Sequence, residues 1–100
     1  MMLYAILGED GPQGSLKRPA LRAAHLSRLA ALRDCGRLVL AGPMPAIDSP
    51  DPGPAGFHGS LVVAEFESLE AAEAWAREEP YLTGGVFSKI VVRPFRQVMP

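Results

Sequence analysis

Ser-Leu-Val-Val-Ala-Glu-Phe, residues 60–66, and Val-Phe-Ser-Lys-Ile-Val-Val-Arg, residues 86–93, are the two apolar runs that decide the fold. Each is short enough for a strand, and the segment between them has helix signals. Ser68 is a favourable N-cap, and Pro80 disfavours helical geometry in the residue before it, so a helix is predicted from Ser68 to about Glu79. Strand, helix and strand form one β-α-β unit.

The first half of the chain repeats this unit. Residues 2–8 are an apolar strand, residues 17–34 have leucines at helical spacing with Pro19 in the first turn, and residues 37–42 are a second strand. The order β-α-β-β-α-β predicts an α+β, ferredoxin-like sandwich, with a four-stranded antiparallel sheet and both helices on one face. Pro94 indicates that the last strand lies at an edge.

Residues 43–59 lack a strand or helix pattern and contain five prolines and three glycines. Loops longer than about 12–15 residues in a compact domain are usually functional or disordered. Two alternatives remain for this one, a lid over a site and an arm in a dimer.

The predicted strands are apolar on both faces, as Leu61, Val62 and Val63 illustrate. Helices on one face leave the other uncovered. The chain has 100 residues, which fits a single domain, residues 1–100, with a small core. A second copy is the simplest cover for the free face, so a homodimer is predicted.

Charge and composition exclude several classes of protein. The net charge is −1, so there is no basic excess for a nucleic-acid partner. No run approaches the roughly 20 apolar residues of a membrane span, and the short apolar start lacks the basic residues of a signal peptide. The single cysteine, Cys35, cannot form an internal disulfide, which is consistent with a cytoplasmic location.

His25 is the best candidate for a functional residue. On a helical wheel with Leu21 at zero, His25 lies at about 40° and Leu29 at about 80°, so His25 falls within the leucine stripe. Arg22, at about 100°, shares that arc, and the two predict a pocket beneath the helix. The alternative is a core histidine bonded to a carbonyl and an arginine that extends to solvent.

Glu79 and Ser60 are candidate partners for His25. A carboxylate at the end of the second helix can accept the imidazole N–H and fix the tautomer, leaving the other ring nitrogen as an acid or base. The Ser60 hydroxyl, at the start of a strand, can donate to a substrate oxygen. The alternatives are a solvated charge for Glu79 and turn chemistry for Ser60.

Other site types lack support in the sequence. His25, His58 and Glu79 do not have the compact spacing of metal ligands, and no Gly-rich phosphate loop or strained Gly-x-Ser-x-Gly turn occurs. Cys35 lies near a helix C-terminus, which does not stabilise a thiolate, so it is expected to be inert. No metal and no cofactor are predicted.

The chain resembles the YCII-related (YciI-like) family, a branch of the dimeric α/β-barrel proteins, along nearly its whole length. The matching motifs, in order, are Arg22-x-x-His25-Leu26, Ala41-Gly42-Pro43 with Pro45-Ala46, Gly56-Phe57-x-Gly59-Ser60, Glu79-Pro80-Tyr81 and Val92-x-Pro94-Phe95. The resemblance implies a ferredoxin-like subunit that dimerises through its sheet. It also implies an active site with a histidine–aspartate pair beside a serine, which fall on His25, Glu79 and Ser60. Glutamate stands here where that family usually has aspartate.

Two functions are compatible with these residues. In the first, the protein is an enzyme that acts on a small molecule by proton transfer, with elimination or isomerisation. His25 and Glu79 would be catalytic, and Arg22 and Ser60 would bind an anionic or oxygen-bearing substrate. In the second, the same pocket binds a small ligand without chemistry, as a regulatory or accessory module.

Overall fold

A computed structural model describes all of residues 1–100. Four strands and three helices follow one another along the chain, with a short 3-10 turn before the third strand. Their bounds are β1 Met2–Asp10, α1 Gly14–Asp34, β2 Leu38–Pro45, a 3-10 turn Gly53–Ala55, β3 Phe57–Phe66, α2 Leu69–Arg77, α3 Pro80–Thr83 and β4 Phe87–Phe95. No helix is both long enough and apolar enough to cross a membrane.

The strands form one antiparallel sheet in the order β2-β3-β1-β4. In the central pair, Ile6 lies opposite Val62 and Gly8 opposite Ser60, which brings the Ser60 side chain to the middle of the helix-covered face. The predicted α+β ferredoxin-like fold and the edge position of β4 are both confirmed.

The main core lies between the sheet and the two long helices. Its central side chains include Ile6, Leu29 and Phe66, all less than a tenth exposed. A smaller cluster of Tyr81, Val86 and Phe87 adjoins it below the first half of α1. Burying side chains of this size contributes about 1.5–3 kcal/mol each, so these clusters fix how α1 sits on the sheet.

Helix α1 begins at Gly14, three residues before the predicted start. Pro19 therefore lies in the second turn of the helix, and the prediction that it occupies the first turn was wrong. A proline inside a helix removes one N–H bond and crowds the carbonyl four residues before it, a cost that this 21-residue helix tolerates. Arg18, which the predicted helix already included, has a buried side chain.

Strand β2 continues to Pro45, so the predicted loop 43–59 is shorter than expected and spans residues 46–56. Strand β2 is an edge strand, and prolines are tolerated there because outward N–H groups need no partner strand. The loop is closed by a hydrogen bond of 3.0 Å from the Ala46 amide to the Gly56 carbonyl.

The sheet face that lies away from the helices is apolar and open. Leu7, Leu61 and Val91 are half-buried there, while Leu40 is 48% exposed and Phe95 is 40% exposed. The prediction of strands that are apolar on both faces is confirmed, and one of those faces has no cover within the chain.

Candidate functional site

His25 and Glu79 meet beneath the middle of α1. His25 is 8% exposed, Glu79 is 2% exposed, and the imidazole Nδ1 is hydrogen-bonded to Glu79 Oε1. A carboxylate only accepts hydrogen bonds, so Nδ1 carries the proton and donates it. The contact predicted between these two residues is present, and it fixes the imidazole tautomer.

Glu79 lies between two helices rather than at the end of one. Helix α2 ends at Arg77, and Glu79 is the N-cap of α3, where its Oε1 accepts a 3.4 Å hydrogen bond from the Tyr81 amide. The predicted end of the second helix near Glu79 was therefore two residues too late. Pro80 at the first position of α3 explains this, because proline starts helices more readily than it continues them.

An arginine completes the environment of Glu79. The Arg28 guanidinium donates to Glu79 Oε2 at 3.1 Å and to the Trp75 carbonyl at 2.9 Å, and it lies 4.2 Å from the centre of the Trp75 ring. Each carboxylate oxygen thus has its own donor. The longer glutamate side chain makes direct contact with His25, so the extra methylene relative to aspartate does not separate the pair.

His25 is held from its other side by an aromatic stack. The Tyr81 ring lies 4.1 Å from the imidazole, with 11° between the planes, and the Phe87 ring packs edge-on against Tyr81 at 5.6 Å. Phe87 occupies the space beside Gly8, where an added Cβ would lie 2.3 Å from the ring. The imidazole is therefore fixed by packing as well as by its hydrogen bond.

Burial raises the pKa of the Tyr81 phenol above its ordinary value, against the opposing effect of the positive charges of Arg18 and Arg22. Because the folded pKa is the higher one, the neutral phenol stabilises the fold below its unfolded pKa of about 10. That contribution disappears as the pH rises through the folded pKa.

We therefore expect the free energy of unfolding to fall more steeply between about pH 9 and pH 11 in the wild type than in the Tyr81→Phe variant. The substitution keeps the ring stack on His25 and removes the titrating group. Urea unfolding of both proteins at several pH values measures the difference. Equal slopes for the two proteins would show that Tyr81 does not contribute to the pH dependence of stability.

The second ring nitrogen of His25, Nε2, is not sealed inside the protein. Nε2 has no hydrogen-bond partner within the protein, whereas every fully buried side-chain nitrogen and oxygen has a partner. Nε2 must therefore be reachable from outside. With the proton on Nδ1, Nε2 has a free electron pair and can accept a proton from a bound molecule.

Arg18 forms a second buried network beside the first. Its guanidinium makes two hydrogen bonds to the Asp10 carboxylate, at 2.7 and 2.8 Å, and donates to Ser60 Oγ at 3.2 Å and to the Gly59 carbonyl at 3.4 Å. Bidentate arginine–carboxylate pairs have a well-defined geometry. Since Ser60 Oγ accepts from Arg18, its own O–H is free to donate to a ligand.

A cleft opens above these two networks, between α1 and the edge of the sheet at β2. Its inner part, of about 240 Å³, is lined by His25, Ser60 and Pro43 among others. Its outer part, of about 360 Å³, lies against Gly53 and Gly56 of the loop 46–56. Both parts share Arg18, Arg22, Pro43 and Tyr81, so they are two regions of one cleft.

The four side chains predicted for the site all lie in or next to this cleft. His25 and Ser60 line its inner part, Glu79 holds His25 from below, and the exposed Arg22 lines both parts. The catalytic and binding roles of these residues stay predictions, while their proximity is a property of the structure.

The sequence patterns did not single out Arg18, Asp10, Arg28 and Tyr81. A signal existed for Arg18, which falls at about 60° on the wheel that placed His25 at about 40°. Asp10 lies beyond the predicted first strand, residues 2–8, and gave no separate signal. Arg28 lies just outside the leucine stripe, and Tyr81 was noted only as part of a motif, so neither gave a separate signal.

Comparison with known proteins agrees with the sequence motifs. The profile of the YCII-related domain matches residues 2–96, almost the entire chain. The chain belongs to the YCII-related family. A relative named protein YciI, from Escherichia coli, is 57% identical over 97 residues, which is 97% of this chain and 99% of the relative. An uncharacterised Haemophilus influenzae relative is 47% identical over 97 residues, again 97% of this chain and 99% of the relative.

Solved structures share the fold of this YCII-related chain. The 5-chloro-2-hydroxyhydroquinone dehydrochlorinase of Burkholderia phenoliruptrix, solved with 2,5-dihydroxybenzoquinone, superposes with a TM-score of 0.81 at 24% identity, covering 95% of this chain and 94% of that one. A Pseudomonas aeruginosa protein gives a TM-score of 0.53 at 12% identity, covering 98% and 94%. At these identities the likeness concerns the fold.

Proposed function

We propose that this YCII-related protein is an enzyme that moves a proton on a small molecule, with His25 as the general acid and base. The observation that carries the proposal is the state of the imidazole: Nδ1 is held by a buried carboxylate, Nε2 has no partner within the protein, and His25 lines the cleft. A general base needs this combination of a fixed orientation and an accessible nitrogen.

The remaining residues have separate roles in this proposal. Glu79 fixes the tautomer of His25 and stabilises the imidazolium that forms when Nε2 takes a proton. The Ser60 hydroxyl donates to a substrate oxygen, since Arg18 already occupies a lone pair of its Oγ. Arg22, at the mouth of the cleft, provides a positive charge for a polar group of the substrate.

The reaction class that suits these groups is elimination or isomerisation. Nε2 removes a proton from a carbon next to a carbonyl, and the electron pair of that C–H bond moves into an enolate whose oxygen accepts from Ser60. In an isomerisation, the imidazolium then returns the proton to another carbon. In an elimination, the enolate returns to the carbonyl as a C=C bond forms, the leaving group departs from the neighbouring carbon with its bonding electrons, and the imidazolium gives its proton to that group or to water. The similar Burkholderia protein is named a dehydrochlorinase, an enzyme that removes HCl from its substrate. The proposal for this chain rests on the residues of this chain.

Deuterium exchange into a panel of small carbonyl compounds tests the proposal. The protein is incubated in D₂O with small ketones, keto acids and hydroxylated quinones, and loss of the C–H signal next to the carbonyl is followed by ¹H NMR. The enzyme proposal requires exchange above the buffer rate for at least one compound. Binding of compounds without exchange of any of them would instead favour the ligand-binding module.

We further propose that the protein forms a homodimer through the open face of its sheet. Leu61, Val91 and the exposed Leu40 and Phe95 form an apolar surface there that a second copy would cover. Sedimentation equilibrium should give about twice the chain mass of 10.7 kDa. Leu40→Glu should shift the protein toward monomer because it places a charge in that surface. A wild type that stays monomeric at high concentration would contradict the dimer.

A further inference from the structure

We propose that the outer part of the cleft binds the carboxylate of a singly charged substrate, with Arg22 as its counter-ion. The inference rests on the proposed function, since the same substrate would place its reacting group in the inner part, at His25. It adds the chemical class of the substrate and the residue that selects it.

Arg22 is the arginine of the site that has no carboxylate partner. Three arginines of α1 lie at the site, and two of them have carboxylate partners: Arg18 pairs with Asp10 at 2.7 Å, and Arg28 pairs with Glu79 at 3.1 Å. Arg22 has no ion pair and no hydrogen bond to the protein. It is therefore the one cation of the three that is available to an incoming anion.

The walls of the cleft also favour an anion. Arg18 and Arg22 line both of its parts, and no aspartate or glutamate lines either part. An arginine on an open surface usually gains little from an ion pair, because water competes for both charges. Arg22 is exposed at the mouth of the cleft, but apolar walls such as Phe57 and Pro19 shield part of a bound anion from water, which strengthens the attraction.

The position of Arg22 defines the shape of the substrate. Arg22 and His25 are three residues apart on α1, so they lie on the same side of the helix, about 4.5 Å apart along its axis. A molecule of modest size can thus reach Nε2 with one end and the guanidinium with the other. The net excess of one positive charge suits a monoanion, which favours a carboxylate over a phosphate dianion.

A matched pair of probes tests the charge preference. The ligands para-hydroxybenzoate and para-hydroxybenzamide have nearly the same shape, and only the first is charged. Their dissociation constants are measured at low salt by following amide shifts of Gly53 and Gly56 in ¹⁵N-labelled protein. We expect the wild type to bind the carboxylate about five- to tenfold more tightly than the amide. The preference should weaken in high salt.

The variants separate this inference from the proposed function. Arg22→Gln should bind both probes equally, while Arg33→Gln removes the same charge from an exposed position of the same helix and should keep the preference. His25→Gln should also keep it, whatever the outcome of the exchange assay. Equal binding by the wild type, no binding of the carboxylate at millimolar concentration, or an intact preference in Arg22→Gln would each overturn the inference.

Discussion

Replacing His25 with asparagine or glutamine is expected to lower the rate of deuterium exchange by about 10²–10⁴-fold, the usual contribution of a general acid or base. The asparagine variant is the sharper test, because its side-chain N–H can take the place of Nδ1 and keep the hydrogen bond to Glu79. What it lacks is a basic nitrogen at the position of Nε2. A loss of exchange in a protein of unchanged stability would therefore assign the proton transfer to that atom.

The second histidine of the chain provides the control. His58 is exposed and lies outside both parts of the cleft, so His58→Gln should exchange at the wild-type rate. Wild-type rates in both His25 variants would refute the role of His25. Equal losses in the His25 and His58 variants would point to a nonspecific effect of removing a histidine.

Replacing Glu79 with alanine is expected to destabilise the protein by about 3–5 kcal/mol, the cost of removing one partner from a buried ion pair. The change leaves both His25 and Arg28 without their carboxylate and removes the N-cap of α3. Small domains are stable by only about 5–15 kcal/mol, so this loss is a large part of the total. Urea unfolding monitored by circular dichroism measures it.

Milder variants keep the Glu79 prediction testable if the alanine variant does not fold. Glu79→Gln retains the shape without the charge, and Glu79→Asp retains the charge with a shorter reach, so both should lose less stability than the alanine variant. The neighbouring Glu78 is exposed, and Glu78→Ala should stay within about 0.5 kcal/mol of the wild type. Similar stabilities for Glu78→Ala and Glu79→Ala would show that the buried network contributes little.

The architecture could be predicted from the sequence because its signals are local. Short apolar runs, a proline after the second helix and the leucine spacing of α1 each reflect one element, and together they allow few topologies. The position of His25 followed from helical periodicity alone. Its contact with Glu79 could be anticipated because both helices must lie on the same face of the sheet.

What the sequence did not reveal depends on contacts between distant segments. Arg18 lies on the same side of α1 as His25 and the leucine stripe. Its role in the site comes from its hydrogen bonds to Asp10, at the end of β1, and to Ser60 on β3, which is 42 residues away in the chain. Such networks leave no periodic pattern. The extent of β2 was also underestimated, because prolines are strong signals against a strand unless the edge position is already known.

The prolines of the two outer strands have a further consequence for how copies of this protein can associate. Pro43 and Pro45 lie on β2 at one margin of the sheet, and Pro94 lies on β4 at the other. Without N–H groups at these positions, neither margin offers the regular row of donors that another chain would need to extend the sheet. The protein is thereby protected against strand-by-strand aggregation at both margins, even though it carries an open apolar surface between them.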